Sequence, residues 1–142
     1  MTLRTQPPIL IADDVDPSGG YRPGVCNIGP AEITRRRRTG HIGLVATLIV
    51  LAALVVTGAP PLARFVLVVP VGLAASGYLQ AALKFCAGFG SAGIFNFGVL
   101  GETVTVADAT ARKLDQARAR QILLASLAIG IAVSLVAFVL PL

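Results

Sequence analysis

Three long apolar blocks, none with a charged side chain, constrain the fold of this chain more than any other feature of its sequence. They cover residues 42–59, 65–83 and 122–142, which are 18, 19 and 21 residues. A bilayer hydrocarbon core of about 30 Å needs roughly 20 apolar residues in a helix. Charged residues make up only 13% of the chain, too few to form the polar shell of a soluble domain. The sequence therefore predicts an all-α integral membrane protein with three transmembrane helices.

The basic residues predict the orientation of these helices. A run of four arginines precedes the first block, Lys84 follows the second, and four basic residues precede the third: Arg112, Lys113, Arg118 and Arg120. With the N-terminus inside, eleven of the twelve Lys and Arg residues are cytoplasmic, and Arg64 alone lies outside. Because cytoplasmic loops are enriched in Lys and Arg, we expect an N-in, C-out protein of a bacterial inner membrane.

The arginine run has a predicted role at the membrane surface. It consists of Arg35, Arg36, Arg37 and Arg38 and ends four residues before the first apolar block. Basic residues in this position fix topology and attract anionic lipid headgroups. No aromatic residues are interleaved with them as in a surface that binds nucleic acid, so membrane lipids are the expected partner and nucleic acid is not.

Residues 1–41 are predicted to form a cytoplasmic tail, distinct from the membrane domain at 42–142. Its prolines prevent a long helix before residue 30 and predict an extended chain with turns. The prolines and the acidic residues among them are Pro7, Pro8, Pro17, Pro23, Pro30, Asp13, Asp14 and Asp16. A short interfacial helix is expected over Ala31–Arg38, with a hinge at Gly40 and Gly43. The stretch Val25–Ile33 resembles a motif, but no activity follows from it.

The uncharged segment 85–101 is not expected to be a fourth span. It has five glycines, and only Lys84 separates it from the second block, which leaves no room for a turn. We expect a glycine-rich interfacial or re-entrant loop. Asp108 is a predicted N-cap, so residues 108–121 should form a cytoplasmic extension of the third helix.

Small and polar residues at helical spacing predict the faces on which the helices meet. One stripe comprises Gly72, Ser76, Gln80 and Lys84, and the other comprises Ser126, Gly130 and Ser134. Residues four apart share a helix face, and small residues there allow helices to approach closely in a membrane. The functional alternative is a polar pathway beside Gln80 and Lys84.

The only soft metal-ligating residues are Cys26, His41 and Cys86. They are expected together at the cytoplasmic surface, but their spacing matches no zinc pattern. A metal or thiol site is therefore a weak alternative, and no cofactor is predicted.

No arrangement of residues in the sequence is typical of catalysis, and the apolar blocks contain no ionisable side chain at their centres. We expect a non-catalytic membrane protein, an accessory or assembly subunit that binds other membrane subunits. The alternative from a different class is an oligomeric channel or transporter with a re-entrant loop near Gln80 and Lys84.

Overall fold

The computed structural model describes residues 20–142 and is mostly helical. Its long helices are α1 (Pro30–Val56), α2 (Val68–Ala82), which a 3₁₀ helix at Pro61–Leu67 precedes directly, and α4 (Ala109–Val139). Three stretches are long and apolar enough to cross a membrane: Pro30–Val56, Pro61–Ala82 and Ala109–Val139. The prediction of three membrane-spanning helices is confirmed at this level. The predictions for the prolines and acidic residues before residue 20 lie outside the described residues.

The first helix has no hinge, in contrast to the expectation at Gly40 and Gly43. Instead, α1 runs unbroken from the arginine run into the apolar block. Both glycines lie against α2: a Cβ on Gly43 would overlap the backbone nitrogen of Ala74, and one on Gly77 would overlap that of Gly40. These glycines therefore permit close contact between two helices, which outweighs their weak helix propensity.

The second helix packs against both α1 and α4. On the α4 side, a Cβ on Gly130 would lie 2.8 Å from the carbonyl oxygen of Val68. Apolar clusters close the two ends of the bundle. Leu67, Val71 and Ala137 form one of them, and Phe85, Ala87, Ala119 and Ile122 form the other.

The glycine-rich segment is more regular than the expected loop. It contains a short helix, α3 (Ala87–Ala92), and a strand, β1 (Ile94–Phe95), which pairs antiparallel with β2 (Val104–Thr105). A chain that is all-α by its sequence therefore carries a small β-hairpin. The predicted N-cap is confirmed, because a carboxylate oxygen of Asp108 accepts a hydrogen bond from the backbone N–H of Ala111 at 2.7 Å.

One end of the bundle bears an ordered polar assembly, which we call the cap. It consists of residues 20–29, residues 84–108 and the first turns of α4, residues 109–120. The α3 helix lies on α4 here: the nearest α4 atom to a Cβ on Gly90 is the carbonyl oxygen of Asp115, at 2.9 Å. The cap therefore includes the charged part of α4 and ends before the apolar part of that helix begins at Ile122.

Candidate functional site

Asn27 joins the separate segments of the cap. Its side-chain oxygen accepts a hydrogen bond from the backbone N–H of Cys86 at 2.6 Å, and its side-chain nitrogen donates to the carbonyl oxygen of Cys86 at 3.0 Å. Its own backbone N–H donates to the carbonyl of Lys84, and its carbonyl accepts from the N–H of Asn96. Asn27 is fully buried. This one residue fixes the N-terminal segment to the connection between α2 and the hairpin.

The residues after Asn27 explain the stretch Val25–Ile33, which the sequence left unassigned. Ile28 forms a parallel bridge with Asn96, and the N–H of Gly29 donates to the carbonyl of Asn96 at 2.8 Å. A Cβ on Gly29 would lie 2.9 Å from the Cα of Phe97, so the hairpin backbone requires glycine here. Pro30 then begins α1, where a missing N–H costs no hydrogen bond.

Asp115 holds the start of the same segment against α4. The carboxylate is fully buried and accepts two hydrogen bonds at 2.7 Å, from the Tyr21 hydroxyl and from the Gly24 backbone N–H. The Tyr21 ring stacks on Phe95 with 4.6 Å between ring centroids. Burial raises the pKa of Tyr21 well above its ordinary value, and the hydrogen bond to Asp115 raises it further.

The four arginines of the run lie in different environments in the structure. Arg36 points into the cap, where its guanidinium lies 3.6 Å from the buried carboxylate of Glu32 and 5.9 Å from the centroid of the Phe89 ring. Arg35 also approaches Glu32 at 3.6 Å, but its side chain is mostly exposed. Arg37 and Arg38 are exposed. One of the four arginines assigned to lipid therefore faces the protein, and the headgroup role of the other three remains a prediction.

Gln80 links α2 to α3. Its side-chain nitrogen donates to the Ser76 hydroxyl at 2.7 Å, and its side-chain oxygen accepts from the N–H of Ala87 at 2.9 Å. Lys84 lies just beyond the C-terminal end of α2 and has a left-handed φ of 53°. The structure thus brings Ser76 and Gln80 together in a structural hydrogen-bond chain.

The remaining predicted packing residues lie between α2 and α4. A Cβ on Gly72 would lie 3.8 Å from the carbonyl oxygen of Ser126. Ser126 and Ser134 are buried, and the Ser126 hydroxyl donates to the carbonyl of Ile122 in its own helix at 2.8 Å. Gly72 and Ser126 therefore lie where α2 and α4 meet, and Ser134 lies on the same face of α4 as Ser126 and Gly130.

The three soft ligand residues do not form one cluster. Cys26 and Cys86 are buried in the cap on either side of Asn27, where the Cys86 sulfur accepts a hydrogen bond from the N–H of Phe89. His41 lies on α1, and its Nδ1 is 2.7 Å from the Tyr78 hydroxyl. Within residues 20–142, no three His, Cys, Asp or Glu side chains are grouped so that they could hold a metal ion.

Arg64 has a role that the sequence did not indicate. It lies at the end of the bundle opposite the cap and is only 5% exposed. Its Nη1 donates to the carbonyls of Ala137 and Leu140 at 2.7 Å, and its Nη2 donates to that of Leu142 at 2.9 Å. The carbonyl of Ala137 lies in the last turn of α4 and has no partner within the helix, so Arg64 supplies a donor to it, as well as to the carbonyls of Leu140 and Leu142 just beyond the helix.

Comparison with known protein families, curated proteins and solved structures finds no match to this chain. The cap must therefore be interpreted from its own geometry.

Proposed function

We propose that this chain is a small, non-catalytic, multi-pass protein of a bacterial inner membrane, and that it serves as an accessory or assembly subunit of a larger membrane complex. In this proposal the cap faces the cytoplasm and provides the docking surface.

The distribution of charge supports the orientation. The basic residues at the cap end are Arg22, Arg35, Arg36, Arg37, Arg38, Lys84, Arg112, Lys113, Arg118 and Arg120. At the other end, Arg64 is the one basic residue among those described, and its guanidinium is occupied by three carbonyls. The positive-inside rule therefore favours a cytoplasmic cap.

The position of the glycine-rich segment favours an interfacial location over re-entry into the membrane. Gly90 lies against Asp115, and a Cβ on Gly93 would lie 2.9 Å from the side chain of Arg112. Both contacts are with the charged part of α4, whereas a re-entrant loop would lie beside the apolar part that follows Ile122. The polar side chain of Gln80 is also hydrogen-bonded within the protein. These contacts support a subunit over a channel.

A single observation carries the docking proposal: apolar side chains are exposed on the β-hairpin of the cap. Val99, Leu100 and Val104 are 64%, 54% and 55% exposed. They lie outside the three membrane-spanning stretches, so the position of α1 and α4 in the hydrocarbon core does not by itself account for their exposure. Exposed apolar residues on a structured surface are typical of protein interaction sites.

The test is purification in mild detergent with the hairpin altered. We expect the wild-type protein to co-purify with other polypeptides at fixed stoichiometry, and Val99→Asp and Leu100→Asp, each made as a single substitution, to disrupt this. Thr103→Asp is the matched control, because it adds charge at an exposed position of the same hairpin without removing an apolar group. The proposal is overturned if the wild-type protein runs as a lone homo-oligomer that conducts ions in liposomes.

Orientation is tested separately with a reporter fused after Leu142. A reporter active only outside the cytoplasm is expected, and cytoplasmic activity would contradict the proposed topology.

A further inference from the structure

A shallow, open depression lies on the cap surface between α3 and α4. Its volume is about 360 Å³, and it is lined by Ser91 from α3 and by Gln116 and Arg120 from α4. All three side chains are exposed. They offer a hydroxyl, an amide and a guanidinium, so the lining is rich in hydrogen-bond donors and includes no carboxylate.

The depression lies where α4 changes from charged to apolar. Gln116 and Arg120 are four residues apart and share a helix face, which Leu123, Leu124 and Leu127 continue toward the membrane. These leucines are between 50% and 66% exposed. The surface is therefore polar and cationic at one end and apolar at the other, in the order of a lipid headgroup and its acyl chains.

The positive charge of Arg120 is not used within the protein. Among the described residues, ion pairs involve only Arg35 and Arg36 with Glu32. Lys113, three residues before Gln116, is exposed on the same face and adds to the local positive potential. The nearby carboxylate of Asp115 is buried and bonded to Tyr21 and Gly24.

We propose that this depression binds the phosphodiester headgroup of an anionic phospholipid. Arg120 forms charge-assisted hydrogen bonds with the phosphate oxygens, Ser91 and Gln116 bind the remaining headgroup oxygens, and the acyl chains lie along the leucines of α4. The proposal concerns a face of α4, and it does not depend on whether the hairpin docks another subunit.

The test is native mass spectrometry of the delipidated full chain in detergent, titrated with dioleoylphosphatidylglycerol and, in parallel, with dioleoylphosphatidylcholine. We expect the wild-type protein to bind one phosphatidylglycerol more tightly than all later lipids. Arg120→Gln should weaken this first binding step about tenfold or more, since it removes a charge-assisted contact. Ser91→Phe should weaken it as well, because the ring fills the depression while every charge is kept.

Arg22→Gln is the matched control. It removes the same charge from an exposed position of the cap that has no assigned lipid role, and we expect a loss of no more than about fivefold, which is the effect of one basic residue near an anionic surface. Thermal unfolding checks that each variant is folded. If Ser91→Phe does not fold, Gln116→Phe is used instead, because its ring fills the depression from the α4 side.

Three outcomes overturn the proposal. Equal losses for Arg120→Gln and Arg22→Gln, or full binding by a folded variant with a filled depression, would mean that only the general surface potential attracts lipid. Displacement of the bound phosphatidylglycerol by millimolar inorganic phosphate would identify a site for a soluble anion instead.

Discussion

Asn27 and Cys86 are joined by two hydrogen bonds of opposite direction, one received from the Cys86 N–H and one donated to its carbonyl. A side-chain amide carries both an acceptor and donors, so it can pair with a backbone residue in this way, as a neighbouring strand would. Fifty-nine residues separate the two positions in the chain. The pair therefore joins the N-terminal segment to the start of α3 across the end of the bundle.

Replacing Asn27 should open the cap. Asn27→Leu leaves the N–H and the carbonyl of Cys86 buried without these partners, and we expect a loss of about 2–5 kcal/mol in the free energy of unfolding. Labelling of Cys86 by a maleimide, measured by peptide mass spectrometry, should be much faster than in the wild-type protein, where Cys86 is buried. Unchanged labelling in Asn27→Leu would mean that other contacts hold the cap.

Two glycines of α2 should respond oppositely to the same substitution. Gly77→Ala places a methyl group into the backbone nitrogen of Gly40, and forcing the helices apart should cost about 1–3 kcal/mol. Gly72→Ala has its nearest neighbour at 3.8 Å and gains up to about 1 kcal/mol of helix propensity. We expect Gly77→Ala to lower the thermal unfolding temperature in detergent and Gly72→Ala to leave it unchanged or raise it. Equal effects would show that α1 and α2 do not approach closely.

These glycines also mark the limit of what the sequence could predict. The stripe of Ser126, Gly130 and Ser134 stands out in an otherwise large and apolar helix, so its position between helices could be expected. Gly40 and Gly43 follow an arginine run, and there the same residue type suggested a hinge. Whether a glycine acts as a hinge or permits a close helix contact depends on the residue packed against it. For Gly43 that residue is Ala74 of α2, 31 positions away in the chain.

The cap was harder to predict for a related reason. The length and hydropathy of the spans are local properties, and so is the N-cap at Asp108. The roles of Asn27, Asp115 and Arg64 are set by contacts between residues 59 or more positions apart. A lone arginine between two spans is also what a snorkelling side chain would look like, so nothing in the sequence marked Arg64 as a donor to the end of α4.

Removing the Arg64 guanidinium should loosen the end of α4. Arg64→Met keeps much of the side-chain volume but leaves the carbonyls of Ala137 and Leu140 without these donors, at an expected cost of about 2–4 kcal/mol. Amide hydrogen exchange should accelerate in the last turns of α4 and stay unchanged in the cap. Arg37→Gln, which removes an exposed guanidinium, is the control and should alter neither region. Equal protection in Arg64→Met and wild type would contradict the role of Arg64.

The ionisation of Tyr21 reports the contact between the N-terminal segment and α4. Burial, followed by the hydrogen bond to Asp115, holds its pKa above the ordinary value of about 10. Because the folded state favours the protonated phenol, this contact contributes stability that is intact below about pH 10 and is lost as the pH rises toward the raised pKa.

In a Tyr78→Phe background Tyr21 is the only tyrosine, so ultraviolet absorbance measures its pKa directly. Adding Asp115→Asn removes the negative charge but leaves an oxygen that can accept the hydrogen bond, so the pKa should fall toward 10 without reaching it while the ring remains buried. The contact would be contradicted if the Tyr21 pKa were ordinary in the folded Tyr78→Phe protein, or if adding Asp115→Asn left that pKa unchanged. Either result would mean that the Tyr21 hydroxyl does not donate a hydrogen bond to Asp115.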